Sequence, residues 1–292
     1  VFCPIVNGTR PKQIGMTTEL FYKVVQELID IDFDGVVQLF LLNEPTLDKT
    51  LKEKARLIRD CLPKVTIYIS TNGDTFCRAD DSTESSAIEL TEWFDSGINV
   101  INLNTYDSGV EQHTRHRALM SYGESRGLWE ETYNKYRKHS VKKRFLAHTD
   151  MRVDRPDGAT AKTDMFYNRK NEERTYGVQQ VHCARPHRHI VVRYDGIVPI
   201  CCAIDPAPVD PNQLIVAGDL NVQTLSEVWN GDVMNKYRWF LQQARRELPG
   251  CNTCNHRMSY SHVVHPIEVD AATQERWESE KSALPIVTLS SN

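Results

Sequence analysis

The first half of the chain repeats one pattern, a helical stretch followed by an apolar run, and that repeat restricts the fold more than any other feature. Residues 17–31, TTELFYKVVQELIDI, put Leu20, Phe21, Val24, Val25, Leu28 and Ile29 on one helical face, with Thr17 or Thr18 as N-cap. VVQLFLL at 36–42 is apolar without alternation, as in a strand covered on both faces. The order then recurs. A helix over 48–62 precedes VTIYIS at 65–70, and a helix over 84–97 precedes INVINLN at 98–104. After a polar stretch, a helix over 128–140 precedes RFLAHTDM at 144–151. This alternation predicts βα units around a parallel sheet or barrel, occupying residues 1–155.

From 153–164 the composition shifts to Pro, Gly, Asp and Thr, which predicts a linker. HIVVRYDGIVPICC at 189–202 reads as a hairpin turning at Asp195-Gly196. A helix over 224–248, interrupted near Asn230-Gly231, leads into CNTCNH. These features define a second, α+β region at 156–265, followed by a weakly periodic tail at 266–292 that wraps the body or is mobile.

Composition narrows the function. No apolar run approaches the roughly 20 residues of a membrane helix. A net charge of −4 lacks the basic footprint of a nucleic-acid binder, despite RPHRH at 185–189, so a small-molecule or peptide substrate is favoured. Eight cysteines are too few for a disulfide scaffold and are spaced for metal, which implies a reducing compartment, the cytoplasm by default.

In parallel β/α folds ligands bind at the carboxyl ends of the strands. Those ends here are NEP (43–45), STNGD (70–74), NLNTYD (102–107) and AHTDMR (147–152), all polar. Cys3 and Pro4 stand before the first helix.

A Cys-Pro, a helix, a strand ending in Asn-Glu-Pro and a strand ending in Thr-Asn-Gly together resemble the radical S-adenosylmethionine (radical SAM) superfamily. That family binds a [4Fe–4S] cluster through Cys-x3-Cys-x2-Cys after its first strand. The resemblance makes Cys3 the third ligand and puts the second immediately before Val1. It implies that Glu44, with Asn43 and Pro45, stands where the family's Gly-Gly-Glu-Pro motif meets the methionine ammonium of SAM, although the glycines are missing. Ser70, Thr71 and Asn72 match the next strand's motif, and Asn102 or Asn104 would reach the ribose hydroxyls.

The second half carries a more specific signal. Cys183, twelve residues, Gly196, four residues and Cys201 resemble the Cys-x(9–15)-Gly-x4-Cys pattern of SPASM/Twitch extensions. The segment 217–238 resembles the Gly-Asn-Leu … Leu-x-Glu-Ile-Trp stretch that follows, and Cys251 and Cys254 close the set. No cysteine lies beyond Cys254, which matches the shorter Twitch form with one auxiliary cluster. Four thiolates can hold zinc or an iron–sulfur cluster. Zinc ribbons present two close Cys-x2-Cys knuckles, whereas only Cys251 and Cys254 are close here, so a [4Fe–4S] cluster is expected. Cys202 competes with Cys201, and Arg169 is a candidate non-cysteine ligand. Cys61, on the apolar side of a helix, and Cys77 read as structural. His182, His187, His189, His256, His262 and His265 are candidates for proton transfer.

The resemblance implies a partial (β/α)6 barrel with a small C-terminal α+β Twitch-like domain. The activity it implies is reductive cleavage of SAM to a 5′-deoxyadenosyl radical that takes hydrogen from a substrate, with electrons from a flavodoxin- or ferredoxin-type donor. A small polar substrate is expected, such as a sugar, aminocyclitol or nucleotide-like compound, with a two-electron oxidation as the expected outcome. The alternatives are a peptide-modifying enzyme and, from another class, a non-catalytic barrel with structural zinc.

Overall fold

The structure, a computed structural model, describes residues 15–41, 43–106, 110–131, 143–151, 182–202, 215–252, 254 and 267–283. Cys3, Arg169, His256, His262, His265 and the expected linker at 153–164 lie outside the described residues. The chain divides into two compact units, residues 25–162 and residues 1–24 with 163–292. The division falls inside α1 (Thr18–Asp30), whose N-cap is Thr17, its hydroxyl accepting from the Leu20 N–H at 3.2 Å.

The first unit is an α/β layer. Five strands, β1 (Val36–Gln38), β2 (Thr66–Thr71), β3 (Val100–Thr105), β4 (Glu130–Glu131) and β5 (Phe145–Asp150), pair in parallel in the order β1-β2-β3-β5-β4. Helices α2 (Leu51–Cys61), α3 (Thr83–Asp95) and α4 (Val110–Ser125) connect them. Register puts Tyr68, Val100 and Phe145 side by side, and they form one apolar cluster with Val36 and Phe40. One step further along the same face the residues turn polar. Ser70 aligns with Asn102, and Asn104 with Thr149.

Two expectations need correction. The polar stretch before 128–140 contains α4, whose buried residues Gln112, His116, Leu119, Met120 and Gly123 keep helical spacing although two of them are polar. The helix over 128–140 is not formed at its start: Glu130–Glu131 is the edge strand β4, and 132–142 lies outside the described residues. The cause is local, because Trp129 turns inward and its indole N–H meets the Met120 carbonyl at 3.3 Å.

In the second unit α5 (Arg185–Arg188) is a single turn, β6 (Ile197–Pro199) and β7 (Val216–Asp219) form an antiparallel pair, and α6 (Leu225–Trp229) and α7 (Asp232–Gln242) follow. Asp195-Gly196 does make a tight turn, with Gly196 at φ +86°, but residues 190–194 form no strand. The partner of β6 is β7, which corrects the expected hairpin. Thr224 and Glu227 close a capping box on α6, and the helix breaks at Asn230-Gly231 as the sequence suggests.

The tail wraps onto this unit. Helix α8 (Ala271–Ser279) seats Trp277, 1 % exposed, in the cluster of Ile200, Met234, Tyr237, Trp239 and Phe240. Its indole N–H donates to Asp232 Oδ1 at 3.0 Å. Trp277→Ala should therefore cost about 3–5 kcal/mol, read from urea unfolding, with Trp277→Phe much milder. A variant as stable as the parent would show that the tail does not contribute to this core.

Candidate functional site

The polar strand ends of the first unit converge on Glu44. Its side chain caps the 3-10 turn Pro45–Leu47, Oε1 accepting from the Thr46 N–H at 3.2 Å and the Thr46 hydroxyl at 2.8 Å. The Thr71 hydroxyl also donates to Oε1, while Oε2 accepts from the Asn72 N–H at 3.0 Å. One carboxylate thus joins the segment after β1 to the end of β2. A carboxylate offers about four lone-pair sites, and Oε2, with a single donor, is the oxygen with room for an incoming cation. Pro45 is buried beside it, and Asn43 is exposed, its Oδ1 accepting from the Leu41 N–H at 3.1 Å.

Deeper in the sheet the amides form a ladder. Asn102 and Asn104 are 2 % and 7 % exposed. Asn102 Nδ2 donates to Asn104 Oδ1 at 2.8 Å and to Ser70 Oγ at 3.2 Å, and Asn104 Nδ2 donates to Ser70 Oγ at 2.7 Å. The Thr149 hydroxyl donates to Asn102 Oδ1 at 3.0 Å. Buried amides need such partners, since an unmet one costs roughly 1–3 kcal/mol. The result is a preorganised polar surface above an apolar floor.

Sequence reasoning missed what holds the loop after β2. Asn72, Gly73 and Asp74 turn sharply, Gly73 at φ +76°. The Asn72 carbonyl accepts from Gln112 Nε2 at 3.2 Å and from the ring of His116. His116 Nδ1 lies 3.0 Å from the Thr105 hydroxyl, so Nε2 is the nitrogen that donates to Asn72 and Nδ1 accepts the hydroxyl proton. The Thr105 oxygen then accepts from His148 Nε2 at 2.9 Å. The only available signal was the helical spacing of Gln112 and His116 with Leu119 and Met120, which their polarity obscured.

In the second unit the cysteine segments lie beside two arginines, Arg246 buried and Arg185 half-buried. Cys183 stands two residues before the turn of α5, Cys201 and Cys202 follow β6, and Cys251 and Cys254 sit on a turn where the Cys254 N–H donates to the Cys251 carbonyl at 3.1 Å. Cys201 and Cys251 pack on one hydrophobic cluster. Burial pushes the Cys183 and Cys251 thiols up, and the charge of Cys254 beside them acts in the same direction. Arg185 Nη1 donates to Cys202 Sγ at 2.7 Å. Among the described residues no three His, Cys, Asp or Glu side chains stand close enough to hold a single metal ion. The donor chemistry, soft thiols beside cationic arginines, fits an iron–sulfur cluster, whose ligands stand further apart than those of one ion.

Two other cysteines are not part of this group. Cys77 is buried, as expected, whereas Cys61 is exposed at the end of α2 rather than on its apolar side. Of the histidines near Cys183, His189 is exposed, its pKa lowered by partial desolvation and by Arg185 and Arg188.

Residues 183–255 match the SPASM family, an iron–sulfur cluster-binding domain. The chain thus carries a SPASM-type iron–sulfur domain that follows, in sequence, the parallel sheet with its polar strand ends, and over most of its length it resembles a SAM-dependent dehydrogenase. It is 24 % identical over 255 residues to the S-adenosyl-L-methionine-dependent 2-deoxy-scyllo-inosamine dehydrogenase of Niallia circulans, covering 87 % of this chain and 86 % of that one. It shares the fold of BtrN crystallised with AdoMet and 2-DOIA, with a TM-score of 0.59, 20 % identity and 90 % of each chain covered. A second BtrN structure, in an open conformation, aligns with a TM-score of 0.53 and 18 % identity, covering 85 % of this chain and 89 % of that one. Among the described residues no helix is long and apolar enough to cross a membrane.

The buried His116 generates an acid sensitivity. Burial first, then His148 and Arg115, lower its pKa from 6.5 to about 3. The unfolded chain takes up this proton below about pH 6.5 while the folded protein does not, so stability is lost as pH falls from there towards 3. Between pH 7 and 5 the loss should be roughly 2 kcal/mol, seen in urea midpoints, and His116→Gln should flatten it. An unchanged pH profile in that variant would contradict the assignment.

Proposed function

We propose that the protein oxidises a secondary alcohol of a small, polar, aminocyclitol- or sugar-like substrate by radical SAM chemistry. The observation that carries this reading is the similarity, over most of both chains, to a SAM-dependent aminocyclitol dehydrogenase, combined with one set of SPASM-type cysteines. When bound, SAM and its [4Fe–4S] cluster would supply the hydrogen-abstracting radical, fed by a flavodoxin- or ferredoxin-type donor, and an auxiliary [4Fe–4S] cluster would take the electron that the substrate radical releases with a proton.

The chain's own residues bind and orient. Glu44 accepts the methionine ammonium at Oε2, the geometry of its carboxylate held by Thr46, Thr71 and Asn72. Asn43 and Pro45 flank it. Asn102 or Asn104 reaches the ribose hydroxyls, the two amides being held in place with Ser70 by their ladder, while Ser70 and Asn72 complete the SAM-binding strand end. Cys3 contributes to the first cluster. Cys183, Cys201, Cys251 and Cys254 hold the auxiliary one, Cys201 being favoured over Cys202 because it packs on the same cluster of side chains as Cys251. Thiolate ligands of this kind suit the cytoplasm. By this reading the domains are residues 1–155, 156–265 and a tail at 266–292.

Glu44→Gln should weaken SAM binding by about 10- to 150-fold, the worth of a charge-assisted hydrogen bond of roughly 1.5–3 kcal/mol. Thr71→Val, which removes one donor to Oε1 and keeps the charge, should lose much less. Equal affinities for Glu44→Gln and the parent, measured by equilibrium binding, would remove Glu44 from the site.

Replacing Cys183 and Cys251 by alanine should abolish oxidised product from 2-deoxy-scyllo-inosamine while 5′-deoxyadenosine is still formed. Circular dichroism would verify the fold. Undiminished product would reject an electron-accepting role for the auxiliary cluster.

A further inference from the structure

We propose that Arg185 and Arg246 set the reduction potential of the auxiliary cluster, raising it by placing two fixed positive charges among the cysteine segments that hold it, one at Cys202 beside Cys201 and one at the Cys254 backbone. The inference rests on the reading that these cysteines hold an iron–sulfur cluster. It adds residues that the SPASM cysteine pattern does not include.

The two arginines come from separate segments and lie among the same cysteine segments. Arg185 lies two residues after Cys183, and its Nη1 donates to Cys202 Sγ at 2.7 Å. Arg246 lies beyond the end of α7, is only 2 % exposed, and its Nη1 donates to the Cys254 carbonyl at 3.2 Å. Its charge favours the thiolates of Cys183 and Cys251. Between them the pair touches two of the cysteine segments, Arg185 at the Cys202 thiol and Arg246 at the Cys254 backbone.

Arg245 shows that this placement is specific. It points the other way, its Nε donating to Glu247 Oε1 at 2.8 Å and its Nη2 to Glu278 Oε2 at 2.9 Å, in an outer ion-pair network with Lys281. The chain therefore assigns one arginine of the pair to carboxylates and the next to the cysteines. The segment bearing Arg185 is held in turn by Arg238, 3 % exposed, whose Nε donates to the Pro186 carbonyl at 2.8 Å. The guanidinium of Arg238 stacks 4.0 Å from the Trp229 ring, so the α5 turn is anchored to α6 and α7.

The physical consequence follows from charge. A thiolate-ligated [4Fe–4S] cluster becomes more negative by one unit on reduction, so nearby cations stabilise the reduced form more than the oxidised one. Burial strengthens the effect, because the local dielectric is low. Net charge around a cluster and hydrogen bonds to its sulfurs are recognised determinants of its potential. Guanidinium does not deprotonate in proteins, so the bias is permanent.

The test is an EPR-monitored redox titration of the reconstituted holoenzyme, poised with dithionite and mediators. The double replacement of Cys183 and Cys251 by alanine identifies which signal belongs to the auxiliary cluster. Arg246→Gln and Arg185→Gln should each shift that midpoint to lower potential and leave the other cluster's midpoint in place. Arg246→Lys and Arg185→Lys should recover most of the shift, a rescue that a packing role would not produce. Glutamine variants with full iron content and an unmoved auxiliary midpoint would overturn the proposal. So would loss of auxiliary iron from all four variants, which would make the arginines structural. The readout needs no substrate: a shifted midpoint without aminocyclitol oxidation would sink the proposed function and leave this inference standing.

Discussion

The in-phase parallel pairing of β2, β3 and β5 is the constraint on which the rest of the first unit depends. Because side chains alternate strictly along a strand, the register that aligns Tyr68 with Val100 and Phe145 also aligns Ser70 with Asn102 and Asn104 with Thr149. A slip of one residue would bury the apolar layer on the wrong face and scatter the amides. Parallel strands also send all their carboxyl ends to one side, and that is why Glu44 can reach both Thr71 and Asn72. Gln112 and His116 then fasten the loop after β2 from α4.

The second unit solves a different problem. It must gather thiols from three places in the sequence without a large core, and it does so with short elements fixed by buried polar groups. The Thr224–Glu227 capping box starts α6, Arg238 ties α5 to the helices, and Trp277 closes the hydrophobic cluster against which Cys201 and Cys251 rest. Buried arginines would be costly alone. Arg238 and Arg246 offset that cost by donating to the carbonyls of Pro186 and Cys254.

Much of this was legible in the sequence, for reasons that can be stated. Helices α1, α2 and α3 and strands β2, β3 and β5 show because their periodicity is apolar and continuous. The cysteine spacing and the break at Asn230-Gly231 show because each depends on a few residues close together. Helix α4 was hidden since its inward positions carry Gln112 and His116, and polar residues at buried positions mask amphipathic spacing. The edge strand β4 spans two residues, too few for any pattern, and the pairing of β6 with β7 joins segments that local turn chemistry cannot link. Arg246 was invisible for a similar reason: next to Arg245 it reads as surface charge, and only the fold separates the one facing carboxylates from the one facing cysteines.

The central claim is that hydrogen leaves a carbinol carbon of the substrate as an atom, carried off by the 5′-deoxyadenosyl group. It is tested most directly by supplying an aminocyclitol deuterated at that carbon and analysing the nucleoside product by mass spectrometry. The account predicts one deuterium in 5′-deoxyadenosine for each molecule of ketone formed. Ketone accompanied by unlabelled 5′-deoxyadenosine, or formed without it, would contradict the account.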